Sequence, residues 1–153
     1  MPQDAYDLAL KALGYKERTE SELRAWLAER GVEDREIEHV IAVLAEAGAV
    51  DDAGFARRFA ADKRLLAGWG PDRIEVTLQG RGVAREHIDA ALAGEDEDAQ
   101  FERATSIIIG RGMSCDSERE RERALGLLVR RGFPLELAYE AVRAAERRLR
   151  EAA

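Results

Sequence analysis

Asp51 and Asp52 stand side by side, and a Gly68-Trp69-Gly70-Pro71 turn follows them after a charged stretch. Paired carboxylates can hold a cation or move a proton, and a glycine-rich turn can cradle a phosphate. Each of those chemistries needs more than the sequence offers. A phosphate loop follows a strand and runs into Gly-Lys-Ser/Thr, and neither accompanies Gly68. Zinc needs a spaced set of Cys and His ligands, whereas His39, His87 and Cys115 are the only such residues. A serine nucleophile would need a His–acid pair, and none is evident. Adjacent acids ahead of a helical pattern are the ordinary way to satisfy free backbone N–H groups and the positive end of the helix dipole. The sequence therefore predicts no catalytic residue, no metal, no cofactor and no small-molecule substrate.

Binding chemistry is better represented. Arg57, Arg58, Lys63, Arg64 and Arg73 cluster in the middle of the chain, and Arg130 and Arg131 follow later. The planar fork of arginine suits phosphates and carboxylates alike, so these side chains do not choose between DNA and protein, and most of them fit solvated helix faces equally well. Trp69, between glycines, fits either packing at a repeat junction or contact with a partner. Trp26 lies on an apolar face and reads as core. The formal net charge of -7 argues against a chain that coats nucleic acid. Residues 1–50 hold 6 Lys and Arg against 11 Asp and Glu, residues 51–94 hold 7 against 7, and residues 95–153 hold 11 against 13. The middle is thus the part most favourable to an anionic partner.

The elements that must carry these residues are helical. Tyr6, Ala9, Leu10 and Leu13 fall on one face of a first helix. Thr19 with Glu22 fits a capping box opening a second, Glu20–Arg30, which buries Leu23, Trp26 and Leu27 and ends at Gly31. A third, Asp34–Ala47, carries Ile37, Val40, Ile41 and Leu44 and stops at Gly48. Asp51 or Asp52 then caps a fourth helix carrying Phe55, Phe59 and Leu66, which Gly68 to Gly70 break, and Pro71 opens a fifth that buries Ile74 and Leu78. A sixth helix covers about Arg85–Leu92, and Gly94 to Asp98 read as a solvated acidic linker or helix start. The seventh carries Phe101, Ala104, Ile107 and Ile108; the eighth covers about Ser117–Arg130; the ninth uses Leu135, Ala138, Val142, Ala145 and Leu149. No strand or hairpin signal is present.

The pattern repeats. Leu23, Leu27, Arg30-Gly31-Val32, Ile37 and Ile41 recur as Ile74, Leu78, Arg81-Gly82-Val83, Ile88 and Leu92, and again as Ala124, Leu128, Arg131-Gly132-Phe133, Ala138 and Val142. Three tandem three-helix repeats follow, over 1–50, 51–94 and 95–153, an all-α fold in which neighbours stack into an elongated, curved array. Mean hydropathy is -0.40, and no apolar run approaches the roughly 20 residues of a membrane span. With no basic-then-apolar leader, the expected address is the cytoplasm. One cysteine excludes an intrachain disulfide.

A specific motif runs through the middle: Leu44, Gly48, Val50, Asp51, Asp52, Phe55, Ala56, then Arg64, then Gly68, Gly70, Pro71, Arg73 and Ile74, then Gly82 and Val83. Arg18-Thr19 with Glu22-Leu23 precede it, and Leu128-Val129-Arg130-Arg131-Gly132-Phe133 follow. These residues resemble the RecX family, regulators of the bacterial RecA recombinase, over about residues 5–147. Val50 replaces the family's usual leucine, Thr77 stands where a glutamate is common, and Ile107-Ile108-Ile109-Gly110-Arg111-Gly112 is an atypical helix end. The resemblance implies a non-enzymatic modulator in recombinational DNA repair that lies in the groove of the RecA–DNA filament. There it would restrain filament growth, ATP hydrolysis and strand exchange, meeting DNA only within the filament or weakly. The arginines above, Lys63 and Trp69 are the expected contacts, framed by Asp51, Asp52, Phe55, Gly68, Gly70, Pro71 and Ile74. A helical module that binds DNA directly and a scaffold for an unrelated protein are the other two readings.

Overall fold

The computed structural model describes residues 2–153, with side chains from Asp4 onward, and among the described residues it is helical throughout, without a strand. The helices are α1 (Pro2–Tyr15), α2 (Glu20–Glu29), α3 (Asp34–Glu46), α4 (Asp52–Asp62), α5 (Pro71–Gly80), α6 (Arg85–Leu92), α7 (Glu97–Gly110), α8 (Glu118–Arg131) and α9 (Leu135–Ala152). A π-helical turn, Lys63–Ala67, continues α4. None of these helices is long and apolar enough to cross a membrane.

Local chemistry sets the starts. Thr19 Oγ1 accepts from the Glu22 amide at 3.1 Å while Glu22 Oε1 accepts from the Thr19 amide at 3.0 Å, the reciprocal pair expected from the sequence. Ser117 and Glu120 repeat it at α8. The two acids of the central motif divide their work. Asp51 Oδ1 accepts from the Gly54 amide at 3.0 Å and caps α4, whereas Asp52 Oδ1 takes the Glu20 amide at the start of α2, also at 3.0 Å. In the acidic stretch after α6, Asp96 caps α7. Glu95, expected in a solvated linker, is instead recessed, its side chain only 10% exposed, because two guanidinium groups hold it.

The chain packs as two compact units. The first holds the residues up to Arg58 together with Leu78–Ala91. In its core Ala5, Ala9 and Ala12 of α1 meet Leu23 and Leu27 of α2, Ile37, Val40, Ile41 and Leu44 of α3, and Val50. The buried stripe of α1 is therefore alanine. Leu10, expected on that stripe, is 42% exposed, since small residues let α1 pack close and leave the larger one at the margin. Each fully buried leucine contributes roughly 1.5–3 kcal/mol.

The second unit holds Phe59–Thr77 and Leu92–Ala153. Its core joins Ala104 and Ile108 of α7, Cys115, Ala124 and Leu128 of α8, Phe133, and Ala138, Ala141, Val142 and Ala145 of α9. Leu135, expected in that core, stands at the first residue of α9 and is 56% exposed. A sharper correction concerns Leu66. Eleven residues after Phe55, it would share a straight α-helix's stripe, but the π-helical turn shifts the phase and leaves it 79% exposed. The carbonyl of Lys63 accepts from both Gly68 and Trp69, and Gly68, at φ 66°, ends the turn.

Candidate functional site

The arginine-bearing segments are positioned by a joint that occurs once in each unit. In the first, the Arg81-Gly82 turn between α5 and α6 meets the start of α2. Thr19 Oγ1 donates to the Arg81 carbonyl at 2.7 Å, and the Arg81 guanidinium grips Glu22 with two hydrogen bonds of 3.0 and 2.8 Å. Burial pushes the Glu22 carboxyl up, but the Arg81 and Thr19 hydrogen bonds outweigh it and hold the group below the ordinary glutamate range. Arg81 also lies 4.4 Å from the Phe55 ring centroid. In the second unit, the Arg131-Gly132 turn between α8 and α9 meets the start of α5. The Gly70 amide donates to the Arg131 carbonyl at 2.7 Å and the Asp72 amide to that of Gly132 at 2.9 Å.

Around these joints the candidate residues separate into distinct roles. In the first unit Arg57 is exposed, and Arg58 pairs with Glu17 at the surface. In the second unit Lys63 Nζ lies 4.7 Å and Arg73 Cζ 4.1 Å from the Trp69 ring centroid, and the Phe59 ring packs against Trp69 in a T-shaped arrangement with centroids 6.0 Å apart. Trp69 is thus half-buried and flanked by two cations, each such contact adding about 0.5–1 kcal/mol or more. Arg130 is exposed. Arg131 donates to the Ala67 carbonyl at 3.0 Å and so ties the π-helical turn to the α8 end.

Arg64 is recessed, its side chain 15% exposed, with Nε 3.6 Å from Glu95. Desolvation lowers its pKa; the Glu95 charge works against that and Arg103 adds to it. Arg103 is the residue that sequence reasoning passed over. Its Nε and Nη2 hold both Glu95 oxygens, at 2.7 and 2.9 Å, and Nη2 also reaches the Trp69 carbonyl at 2.7 Å. Its guanidinium lies 5.0 Å from the Phe133 ring centroid. No helical spacing marks it, because Glu95 lies eight residues back, before the start of α7, and Trp69 and Phe133 come from distant parts of the chain. The structure therefore brings Lys63, Arg64, Trp69, Arg73 and Arg131 together in one unit, with Arg64 and Arg131 engaged inward and Arg73 and Arg130 exposed.

Residues 5–44 match the family model described as the first three-helix domain of RecX, and residues 51–92 match the one described as its second. A protein of Mycolicibacterium vanbaalenii called "Regulatory protein RecX" is 36% identical, covering 93% of this chain and 82% of its own length. One of Mycobacterium avium with the same name is 34% identical, covering 92% and 83%. A crystal structure of RecX from Lactobacillus salivarius shares the fold, with a TM-score of 0.84 over 95% of this chain and 96% of that one, at 20% identity. With two family domains in tandem and such relatives matching along nine-tenths of its length, the chain belongs to the RecX family of regulatory proteins.

Proposed function

We propose that this chain is a cytoplasmic, non-enzymatic regulator that binds the filament of RecA recombinase on DNA and restrains its ATP hydrolysis, strand exchange and growth. One observation carries the proposal: the chain matches proteins named as RecX regulators along nearly its whole length. The physical chemistry is compatible with it. Helix triplets in tandem can meet successive protomers of a polymer, so weak contacts combine through effective concentration. A chain of net charge -7 competes poorly for bare DNA.

The test is single-stranded-DNA-dependent ATP hydrolysis by the cognate recombinase, with and without the chain. Hydrolysis should fall as the chain is added, and an unchanged rate sinks the proposal. A salt titration against bare DNA separates the reading of direct DNA binding, which predicts strong, steeply salt-dependent association. Charge reversal belongs at the exposed Arg57, Arg73 and Arg130 and should weaken inhibition. Arg64 and Arg131 are poor choices, because both are engaged with neighbouring groups of the fold.

A further inference from the structure

Two of the three Arg-Gly-apolar turns are joined to a helix start, and the third, Arg30-Gly31-Val32, is not. Its backbone is nevertheless the same. The Gly31 amide donates to Ala28 at 3.0 Å and the Val32 amide to Leu27 at 3.2 Å, against 3.0 and 3.1 Å for the matching bonds of Gly82 and Val83. Among the described residues nothing donates to the Arg30 carbonyl, whereas the Arg81 and Arg131 carbonyls each accept from the start of a second helix. The Arg30 guanidinium is held over Trp26, with Cζ 3.4 Å from the ring centroid and Nη1 donating to the Trp26 carbonyl at 3.0 Å. Arg81 grips Glu22 through Nε and Nη2, and the same two nitrogens of Arg30 make no hydrogen bond among the described residues. Val32 is only half-buried, where Val83 and Phe133 are buried.

The third triplet carries the complementary surplus. Ser117 and Glu120 form at α8 the same capping box that Thr19 and Glu22 form at α2. At α2 the Thr19 hydroxyl goes on to meet the Arg81 carbonyl, and the Glu22 carboxylate the Arg81 guanidinium. At α8 no described group accepts from the Ser117 hydroxyl. Glu120 is hydrogen-bonded by Ser114 and Ser117, and Arg123 acts on it through charge alone. We infer that the Arg30-Gly31 turn of one copy docks on the α8 start of a second copy of this chain, Ser117 donating to the Arg30 carbonyl and Glu120 accepting from Arg30 Nε and Nη2. Donor, acceptor and charge match those of the Arg81 joint one for one, and stacking on a neighbour is how repeated helix units cover such surfaces. The contact is heterologous, so each copy added brings another turn and another helix start. It is weaker than the internal joints. No tether raises the effective concentration of the two sides. Ser117 also precedes the first buried residue of its helix, Ala124, by seven positions, where Thr19 precedes Leu23 by four, so the incoming turn sits one helical turn further out and covers less apolar surface. The inference stands apart from the filament function, because the chain alone makes the contact.

The test is sedimentation velocity of the full chain from about 10 μM to about 1 mM, over which the average sedimentation coefficient should rise with concentration. Arg30→Glu and Glu120→Arg each set like charges across the contact and should each weaken association by about tenfold or more. Mixed one to one, the two variants should associate again, because either turn then faces an α8 start of opposite charge. Gly31→Asn keeps the left-handed backbone and the charge but adds a Cβ at the place where one on Gly82 would strike Ser21, and it should weaken association as well. Lys11→Glu, at an exposed position of α1, should behave as wild type. Circular-dichroism melts check that each variant is folded; Glu120→Arg removes one capping bond, whereas Arg30→Glu and Gly31→Asn leave every cap intact. A wild-type coefficient that does not change with concentration overturns the inference and leaves the turn to a helix start of some other protein. Undiminished association of Arg30→Glu, or a mixture of the two folded charge variants that stays monomeric, overturns it too.

Discussion

Gly70→Ala probes the second unit's joint at its tightest point. A methyl on Gly70 would lie 2.5 Å from the carbonyl carbon and oxygen of Gly132 and from the Phe133 amide nitrogen. All three are backbone atoms, so no side-chain rotation relieves the clash. The start of α5 must then lift from the Arg131-Gly132 turn, which weakens the Gly70–Arg131 and Asp72–Gly132 hydrogen bonds of 2.7 and 2.9 Å. Overpacking costs about 1–3 kcal/mol and each weakened bond up to roughly 0.5–1.5 kcal/mol, so destabilisation of about 2–5 kcal/mol is expected. At roughly 2–4 °C per kcal/mol for a chain of this size, the melting temperature should drop by on the order of 10 °C. Gly80→Ala is the control. It lies at the end of the same helix, an added methyl there meets nothing within 4 Å, and alanine's helix propensity should raise stability by up to about 1 kcal/mol. Thermal melts followed by far-ultraviolet circular dichroism compare the three proteins. A Gly70→Ala melt within about 1 °C of the parent would refute the close approach.

Three further outcomes are expected. The Glu22 carboxyl, held below its unfolded value near about 4.3, stabilises the first unit above that pH and ceases to do so as pH falls through the folded value. Glu22→Gln should lower the unfolding free energy measured in urea near neutral pH by about 0.5–1 kcal/mol for this part-exposed pair, and flatten the acid limb. Glu95→Gln leaves Arg64 and Arg103 without their countercharge and should destabilise by about 3–5 kcal/mol, measured by urea unfolding. Cys115 is 1% exposed, and burial, with acidic neighbours, raises its thiol pKa; its reaction with Ellman's reagent should be on the order of a hundredfold slower in the native chain than in urea, so that it reports opening of the second unit.

The helices were legible because their signals are local. Spacing of three and four residues marked the faces, and Thr19 with Glu22 marked a start that the structure reproduces bond for bond. What escaped was non-local. In α1 the spacing marks Ala9, which is buried, and Tyr6 and Leu13, which pack at the margin of the core, but Ala5 and Ala12 carry too weak an apolar signal to stand out, and Leu10 takes their place in the reading. The π-helical turn has no side-chain signature in Lys63–Ala67, and Leu66 was therefore placed on the wrong face. The arginines expected to meet a partner are legible as a cluster, while their division into exposed and inward-turned groups is not. Glu95 and Arg103, which decide that Arg64 turns inward, lie far from it in sequence, and no periodicity links them.

The recurring Arg-Gly-apolar turn acquires a physical meaning from the two joints. At Arg81-Gly82 and Arg131-Gly132 the glycine has φ 78° and 98°, the arginine carbonyl accepts a hydrogen bond from the start of another helix triplet's second helix, and the apolar residue that follows, Val83 or Phe133, is buried. A Cβ on either glycine would strike that incoming helix start, at Ser21 in one case and Arg73 in the other. Arg30-Gly31 shares the backbone conformation, φ 79°, but a Cβ there would meet nothing, and the Arg30 guanidinium lies 3.4 Å from the ring centroid of its own helix's Trp26. One sequence signature thus does two jobs. It ends a helix wherever it occurs, and it joins triplets only where a preceding triplet supplies a helix start to receive it. That is why each compact unit pairs an end triplet with part of the middle one, and why the middle triplet, with a helix start to give and a turn to offer, is divided between both.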